Sequence, residues 1–295
     1  MVDKPERRGH VQRRPKAKKA GGVVPPLLGG DVGAHLGKTL AASLRQAARL
    51  RSLVFLELFG GCGRVAASAR AMGYAALSLD INSSPLENHL TPAFLNRILG
   101  WIASGVVAGV WLGTPCSTWT RALRAPLRTE QYPDGRPDLS TEMQNKLEIG
   151  NQSFGFSLQI IRACLRYNIG VMIENPQTSL LWSSPHFQKL LNLKSSTSVI
   201  CHMCQFGAPW KKATRVQAWG VGDLWELERK CTGHRGICSR TARPHLELSG
   251  RAPGGKHWTA IAAAYPAAFA RAAAAILIRT CENKRSLAIA DRMGV

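Results

Sequence analysis

Short apolar runs of strand length alternate with longer stretches in which small or apolar residues recur at helical spacing. Residues 53–58 open the series with a continuous run, Leu-Val-Phe-Leu, before the first acid. Residues 64–72 then carry the small-residue pattern of a helix packed closely on a sheet. Strands follow over 75–79, 106–112, 170–173 and 197–202, with helices over 92–104 and 153–166 between them. Alternation of this kind predicts an α/β fold built on a Rossmann-like, mostly parallel, doubly wound sheet. An amphipathic helix over 35–50, with Arg45, Arg49 and Arg51 interspersed, is expected to pack before the first strand.

Two stretches break the alternation. Residues 117–147 are polar and turn-rich and read as a mobile active-site loop. Residues 220–257 are rich in Gly, Cys, His and Arg and read as a small irregular recognition insertion, after which an Ala-rich helix over 266–279 begins with Pro in its first turn. The expected organisation is a basic arm and linker over 1–30, a catalytic core over 31–219, the insertion over 220–257, a helix returning to the core over 258–281, and a tail over 282–295.

The chemistry gathers at strand ends. Glu57-Leu58-Phe59-Gly60-Gly61-Cys62-Gly63 closes the first strand and opens a helix, the place where a Rossmann-like sheet binds a nucleotide-like cofactor. Asp80, after the second strand, is placed to accept hydrogen bonds from two ribose hydroxyls. Trp111-Leu112-Gly113-Thr114-Pro115-Cys116 ends the third strand with a thiol, and Ile173-Glu174-Asn175-Pro176 ends the next with a carboxyl acid. Each feature has a plainer reading by itself: a steric glycine turn, a buried small thiol, a solvated strand-end acid or helix cap. Found together at successive strand ends behind a glycine loop, they point to a site.

Composition adds a partner. The 295-residue chain carries 39 Lys plus Arg against 18 Asp plus Glu, a formal charge of +21, and such an excess concentrates polyanions around the molecule. Residues 1–20 hold eight of those cations and two acids with almost nothing apolar, so this arm is expected to stay flexible. Its run from Arg13 to Lys19 would also serve as a nuclear import signal. No apolar run approaches the ~20 residues that span a bilayer. The expectation is an intracellular monomer with no membrane partner, nuclear in a eukaryote and cytoplasmic otherwise. Eight cysteines without the density of a disulfide scaffold suit a reducing compartment. Cys201-x-x-Cys204 precedes Cys231-x-x-His234, which is close to zinc-ribbon spacing, with Cys238 or His245 as substitutes in the second pair; scattered core thiols with a surface His are the competing reading.

In their order these motifs resemble the cytosine-C5 DNA methyltransferase family over most of residues 53–280. Residues 57–63 resemble its S-adenosylmethionine loop, Gly113-Thr114-Pro115-Cys116 its nucleophile motif, and Glu174-Asn175-Pro176 its acid motif. Residues 205–215, Gln-Phe-Gly-Ala-Pro-Trp-Lys-Lys-Ala-Thr-Arg, resemble the later motif whose basic residues hold the target base and its phosphates, and Tyr265-Pro266 sits where a final motif closes over the cofactor. More narrowly, Pro115-Cys116-Ser117-Thr118-Trp119-Thr120-Arg121-Ala122 is similar to divergent methylase-like proteins of phages and mobile elements.

The resemblance implies Cys116 as nucleophile, Glu174 as acid, Asn175 as its orienting neighbour and Arg215 as a further catalytic group. It implies cofactor contacts from Glu57, Phe59, Gly61, Gly63, Asp80 and Pro115. Trp119 and Arg121 would brace the space left by a flipped base, and Lys211, Lys212 and Arg215 would touch nucleic acid. Arg121, Arg124 or Arg215 is expected to activate the Cys116 thiol. The implied reaction is methyl transfer from S-adenosylmethionine to C5 of cytosine in DNA through a covalent cysteine adduct. RNA as substrate stays open, as does a weak or inactive nucleic-acid-binding module of a mobile element, because Pro176 and the Lys211-Lys212-x-x-Arg215 wording depart from the family pattern.

Overall fold

A computed structural model describes residues 53–293 apart from 122 and 124. The arm over 1–30, the helix expected over 35–50 and Arg124 lie outside the described residues. The six strands are β1 (Val54–Leu58), β2 (Ala76–Leu79), β3 (Val107–Leu112), β4 (Gly170–Pro176), β5 (Ser196–His202) and β6 (Ala213–Trp219). They form one sheet in the order β2-β1-β3-β4-β6-β5. β1 pairs parallel with β2 and β3, and β3 with β4. β6 runs antiparallel between β4 and β5, so the sheet is α/β and mostly parallel, Rossmann-like in its first four strands.

Strand alternation divides the core into two layers. Val54, Leu56 and Leu58 of β1 face one layer, filled by Phe94, Ile98 and Ile102 of the helix Pro92–Ala103 and by Phe154, Ile160 and Ile161 of the helix Thr141–Arg166. Phe55 faces the other, where Ala66 and Ala69 of the helix Arg64–Ala71 meet Ala270, Ala273 and Ala274 of the helix Ala267–Met293. Small side chains at those positions let the two helices and the sheet approach closely, so helices cover both faces, as a doubly wound sheet requires. The same alternation sends Glu57 and Glu174 toward the second face and Asn175 toward the first.

Three elements differ from expectation. The helix ending at Arg166 begins at Thr141, not 153, with the Ser140 hydroxyl accepting from the Met143 amide. Its first turns are exposed almost all round and are held by Glu142–Lys146 and Glu148–Gln152 pairs, so no apolar stripe marks them. β6 also went unseen, because Thr214, Arg215 and Gln217 interrupt its apolar residues. Burial is sustained there by specific hydrogen bonds, from Gln217 Nε2 to the Thr197 carbonyl at 2.7 Å and from Trp219 Nε1 to the Leu190 carbonyl at 2.8 Å. The C-terminal helix runs on through the expected tail to Met293.

Residues 220–257 contain one short helical turn, Leu224–Leu227, and two isolated bridges, Ile237 with Pro244 and Arg251 with His257. No helix among the described residues is long and apolar enough to cross a membrane.

Candidate active site

All of the strand-end motifs open at the carboxyl edge of the parallel strands. The loop after β1 folds back on β2: the Gly61 amide donates to Asp80 Oδ2 at 2.9 Å, while Asn82 donates its backbone and side-chain N–H groups to Oδ1. Gly61 and Gly63 have φ of 54° and 66°, and a Cβ on Gly60 would lie 2.1 Å from Ser78 Oγ, so this turn requires glycine on steric grounds. Phe59 holds φ 56° without that freedom, a strained backbone kept in place by its ring packing on His89 and Phe156 at 4.7 and 5.5 Å.

Beside this loop lies a cavity of about 140 Å³ walled by Phe59, Leu79, Phe156 and Pro115, with Asp80, Glu87 and His89 on its rim. Apolar and aromatic walls with two carboxylates suit a nucleoside: rings for the base, acids for the ribose hydroxyls. The open glycine turn, where a Cβ on Gly61 would meet nothing, leaves the backbone approachable, so the residues fit a nucleoside-bearing donor such as S-adenosylmethionine. Glu87 and His89 were not singled out from sequence. Glu87 Oε2 accepts from the Asp80 amide at 2.7 Å, and His89 Nε2 meets Ser153 Oγ at 2.8 Å; burial lowers the His89 pKa, favouring the neutral ring. Glu87 lies one turn after Asp80 in a loop whose only sequence marker is the Ser84 cap.

Pro115 belongs to that wall, and the next residue is Cys116. Across from it stands Glu174, 6% exposed, which accepts from the Tyr265 hydroxyl through Oε2 at 2.9 Å. Its Oε1 is buried with no hydrogen-bond partner and lies 3.8 Å from Lys212 Nζ. Lys212 is turned inward by a backbone at φ 27°, a second strained residue of the site, and also donates to the Ala262 carbonyl at 3.2 Å. Burial first and the Glu174 charge second push the Cys116 thiol above its ordinary value, while Lys212 pulls it down. Thiol, carboxylate and ammonium therefore share one electrostatic neighbourhood.

This arrangement sets the thiol's reactivity. Cys116 is expected to react with iodoacetamide more slowly than a free cysteine at pH 8, because its raised pKa leaves less thiolate, and to speed up as pH climbs further. Lys212→Met removes the opposing cation and slows the reaction several-fold more. Alkylation mapped by peptide mass spectrometry checks this; a thiol faster than free cysteine, or indifferent to Lys212, would contradict it.

Several expected site residues are placed differently. Among the described residues, the cation whose charge lowers the Cys116 pKa is Lys212, not Arg121 or Arg215. Arg121 is exposed and pairs with Glu130 at 2.6 Å. Arg215 sits opposite Asn175 on β6, on the face away from Glu174, where its Nη2 donates to Gln217 Oε1 and its guanidinium lies 4.7 Å from the Trp182 ring. Lys211 is exposed, so the two adjacent lysines diverge. Glu57 faces the helix Arg64–Ala71, not the cavity: its carboxylate accepts from the Val65 and Ala66 amides at 3.3 and 2.8 Å, and burial raises its pKa to about 6 against those bonds. It caps the helix that the glycine loop opens. Asn175, fully buried, donates to the Thr114 carbonyl at 2.8 Å and so ties the end of β4 to the loop carrying Cys116. It is a positioning residue.

Trp119 is fully buried and cannot fill a vacated base position as it stands. It lies between Phe154 and the Arg128 guanidinium, which is 3.4 Å from its ring centroid. Arg128 is itself buried, its pKa lowered to about 10 by that burial, and it donates to the Thr118 and Pro133 carbonyls. These bonds pin the segment expected to be a mobile loop. Arg128→Met leaves those carbonyls without their donor and is expected to destabilise the protein by about 2–4 kcal/mol. Urea denaturation reads this directly; an unchanged midpoint would contradict it.

The metal-ligand expectation is also revised. Cys204, Cys231, Cys238 and His245 bring their ligand atoms within 4.8 Å of one another. Cys201 does not join them: the alternation of β5 buries it in the second core layer beside Met203 and Val216, where burial raises its thiol to about 12. His234 is exposed; Cys231 stays in the cluster, and both expected substitutes, Cys238 and His245, join it in place of His234 and Cys201.

No family model and no curated protein matches the chain. Among solved structures it is similar to the Entamoeba histolytica methyltransferase EhMeth, at 16% identity and TM-score 0.35 over 57% of this chain and 53% of that one. It is similar also to S. pombe Dnmt2 methyltransferase, at 15% and 0.33 over 56% and 50%, and to a Spodoptera frugiperda DNMT2 mutant, at 15% and 0.32 over 61% and 53%. The chain spans about half the length of these structures.

Proposed function

We propose that this protein transfers a methyl group to C5 of cytosine in nucleic acid, with DNA as the first substrate to test, using Cys116 as a covalent nucleophile and Glu174 as its acid. The observation that carries the reading is the buried Oε1 of Glu174, which accepts no hydrogen bond and has only the Lys212 ammonium at 3.8 Å, in the same electrostatic neighbourhood as the Cys116 thiol. A desolvated acceptor without a donor is costly, and a cytosine edge entering the site would relieve it.

C5 of cytosine is too weak a nucleophile to take a methyl group unaided. Cys116, as thiolate, adds to C6 while Glu174, having taken up a proton from solvent as the base enters, passes it to N3, so the ring carries an enamine whose C5 can attack. The glycine turn, Asp80 and Glu87 would hold S-adenosylmethionine, which would supply the electrophilic methyl when bound. Transfer of the C5 proton to a solvent water, expulsion of the thiolate from C6 and return of the N3 proton to Glu174 restore the aromatic ring. Tyr265 keeps one oxygen of Glu174 engaged, which leaves the other as the oxygen that faces substrate. Lys212 stabilises the thiolate before attack and again when it leaves. Asn175 holds the Cys116 loop against β4, so nucleophile and acid keep their separation.

C6 is covered in a stacked duplex, so the target base must be extruded or already unpaired. The positive excess of the chain favours a polyanion, and binding should weaken steeply with salt. Tritiated methyl donor offered with DNA and RNA oligonucleotides tests the reading. The expected product is 5-methylcytosine; label on RNA alone moves the substrate to RNA, and label on adenine or on neither overturns the proposal.

A further inference from the structure

We infer that Cys204, Cys231, Cys238 and His245 form a structural zinc site that clips the irregular segment 229–246 onto the turn delivering Lys212 to Glu174. Four ligand atoms all lie within 4.8 Å of one another, with Cys231 Sγ and His245 Nε2 3.7 Å apart. Ligands ~2.3 Å from a tetrahedral ion stand about 3.8 Å from each other, so the cluster has the size of a closed four-coordinate site. Three thiolates and one imidazole are soft-to-borderline donors that select zinc over magnesium or calcium, and four protein ligands leave no open position for chemistry.

The surroundings are those of a built site. The three cysteines are buried together as a separate cluster from the two core layers. Six residues separate Cys231 from Cys238, and six separate Cys238 from His245. The second interval is a tight turn: the Cys238 amide donates to the Arg243 carbonyl at 2.8 Å, and Ile237 bridges to Pro244. Gly233 lets the first interval close tightly on itself, since a Cβ there would lie 1.9 Å from the Ile237 carbonyl oxygen. N–H groups are directed at the sulfurs, from Ser239 to Cys231 at 3.3 Å and from Gln205 to Cys204 at 3.4 Å, as outer partners of metal thiolates are.

Cys204 links this cluster to the catalytic edge. It lies in the short helical turn Met203–Phe206, and the Met203 amide donates to the Lys211 carbonyl at 2.8 Å. Arg240 Nε donates to the Cys204 carbonyl at 2.7 Å, and the Leu246 amide to the Pro209 carbonyl at 2.9 Å, so segment 229–246 braces both limbs of the loop that ends in strained Lys212. An ion at the four ligands fixes those limbs to each other. The inference is independent of what the protein methylates.

Metal analysis of the full-length protein purified under reducing conditions is expected to find about one zinc per chain. Cys238→Ser should lose it, and His234→Ala should keep it. Because Cys238→Ser can fail to fold, cobalt(II) exchanged into the wild type gives a second reading: intense sulfur-to-cobalt charge-transfer bands and strong visible bands of a tetrahedral thiolate site. Zinc removal by a chelator should lower the melting temperature, with recovery on adding zinc. Absence of zinc with cysteines free or oxidised, weak octahedral cobalt bands, zinc retained by Cys238→Ser, or melting indifferent to the metal would overturn the proposal.

Discussion

Replacing Cys116 with alanine is expected to eliminate the proposed methyl transfer to cytosine, a fall of at least ~10,000-fold, because without a sulfur to add at C6 the ring would not become nucleophilic at C5. The substitution removes one atom from a half-buried loop position beyond the end of β3, leaving the core layers untouched. Melting temperature and affinity for the methyl donor should therefore stay at wild-type values. Cys116→Ser should be nearly as inactive, since a hydroxyl in the same place titrates far above the thiol. Transfer within tenfold of wild type in the alanine variant would remove Cys116 from its role.

Glu174→Gln is the second large effect, with a rate loss of ~100-fold to 10,000-fold, the range a positioned general acid supplies. Glutamine keeps the shape and still accepts from Tyr265, but it has no proton to give to N3. A purely structural Glu174 would lower rate, donor affinity and thiol reactivity together. The geometry predicts opposite movements: methyl transfer falls, while alkylation of Cys116 becomes faster, because the Glu174 charge that raises the thiol pKa is gone and Lys212 remains. Measuring both quantities on one preparation separates these accounts. A Gln variant whose thiol is slower than wild type would contradict the shared neighbourhood.

Much of the fold was legible because buried parallel strands are short unbroken apolar runs. β1, the glycine turn and the helix Arg64–Ala71 could be read that way, and so could the strand ends bearing Cys116 and Glu174. What could not be read has particular causes. The first turns of the helix Thr141–Arg166 bury nothing, so they carry no period. β6 hides polar residues behind tertiary hydrogen bonds that a sequence does not display. Two adjacent lysines look alike until the backbone at Lys212 turns one inward and leaves Lys211 outside. Trp119 and Arg128 are ten residues or fewer apart in a turn-rich stretch, yet their stacking depends on Phe154 from a distant helix. For the metal ligands, the pairs nearest in sequence were the wrong guide. Two residues separate Cys201 from Cys204, but strand alternation sends one into the core and the turn sends the other to Cys231.

The site residues thus fall into two groups. In the proposed reaction Cys116, Glu174 and Lys212 would act on the base, with Tyr265 hydrogen-bonded to Glu174 and Asn175 tying the end of β4 to the Cys116 loop. Arg128 holds the loop that carries Cys116, and Glu57 caps the helix after the glycine turn. On the proposed reaction the first group would set chemistry and the second geometry.

An oligonucleotide carrying 5-fluorocytosine tests the central claim most directly. Fluorine at C5 cannot leave as the proton does, so an enzyme that adds a thiol to C6 and methylates C5 is trapped on its substrate. With S-adenosylmethionine present, the account predicts a protein–nucleic acid complex that survives denaturation and maps to the peptide containing Cys116. No adduct on either DNA or RNA, or an adduct that persists in Cys116→Ala, would contradict it.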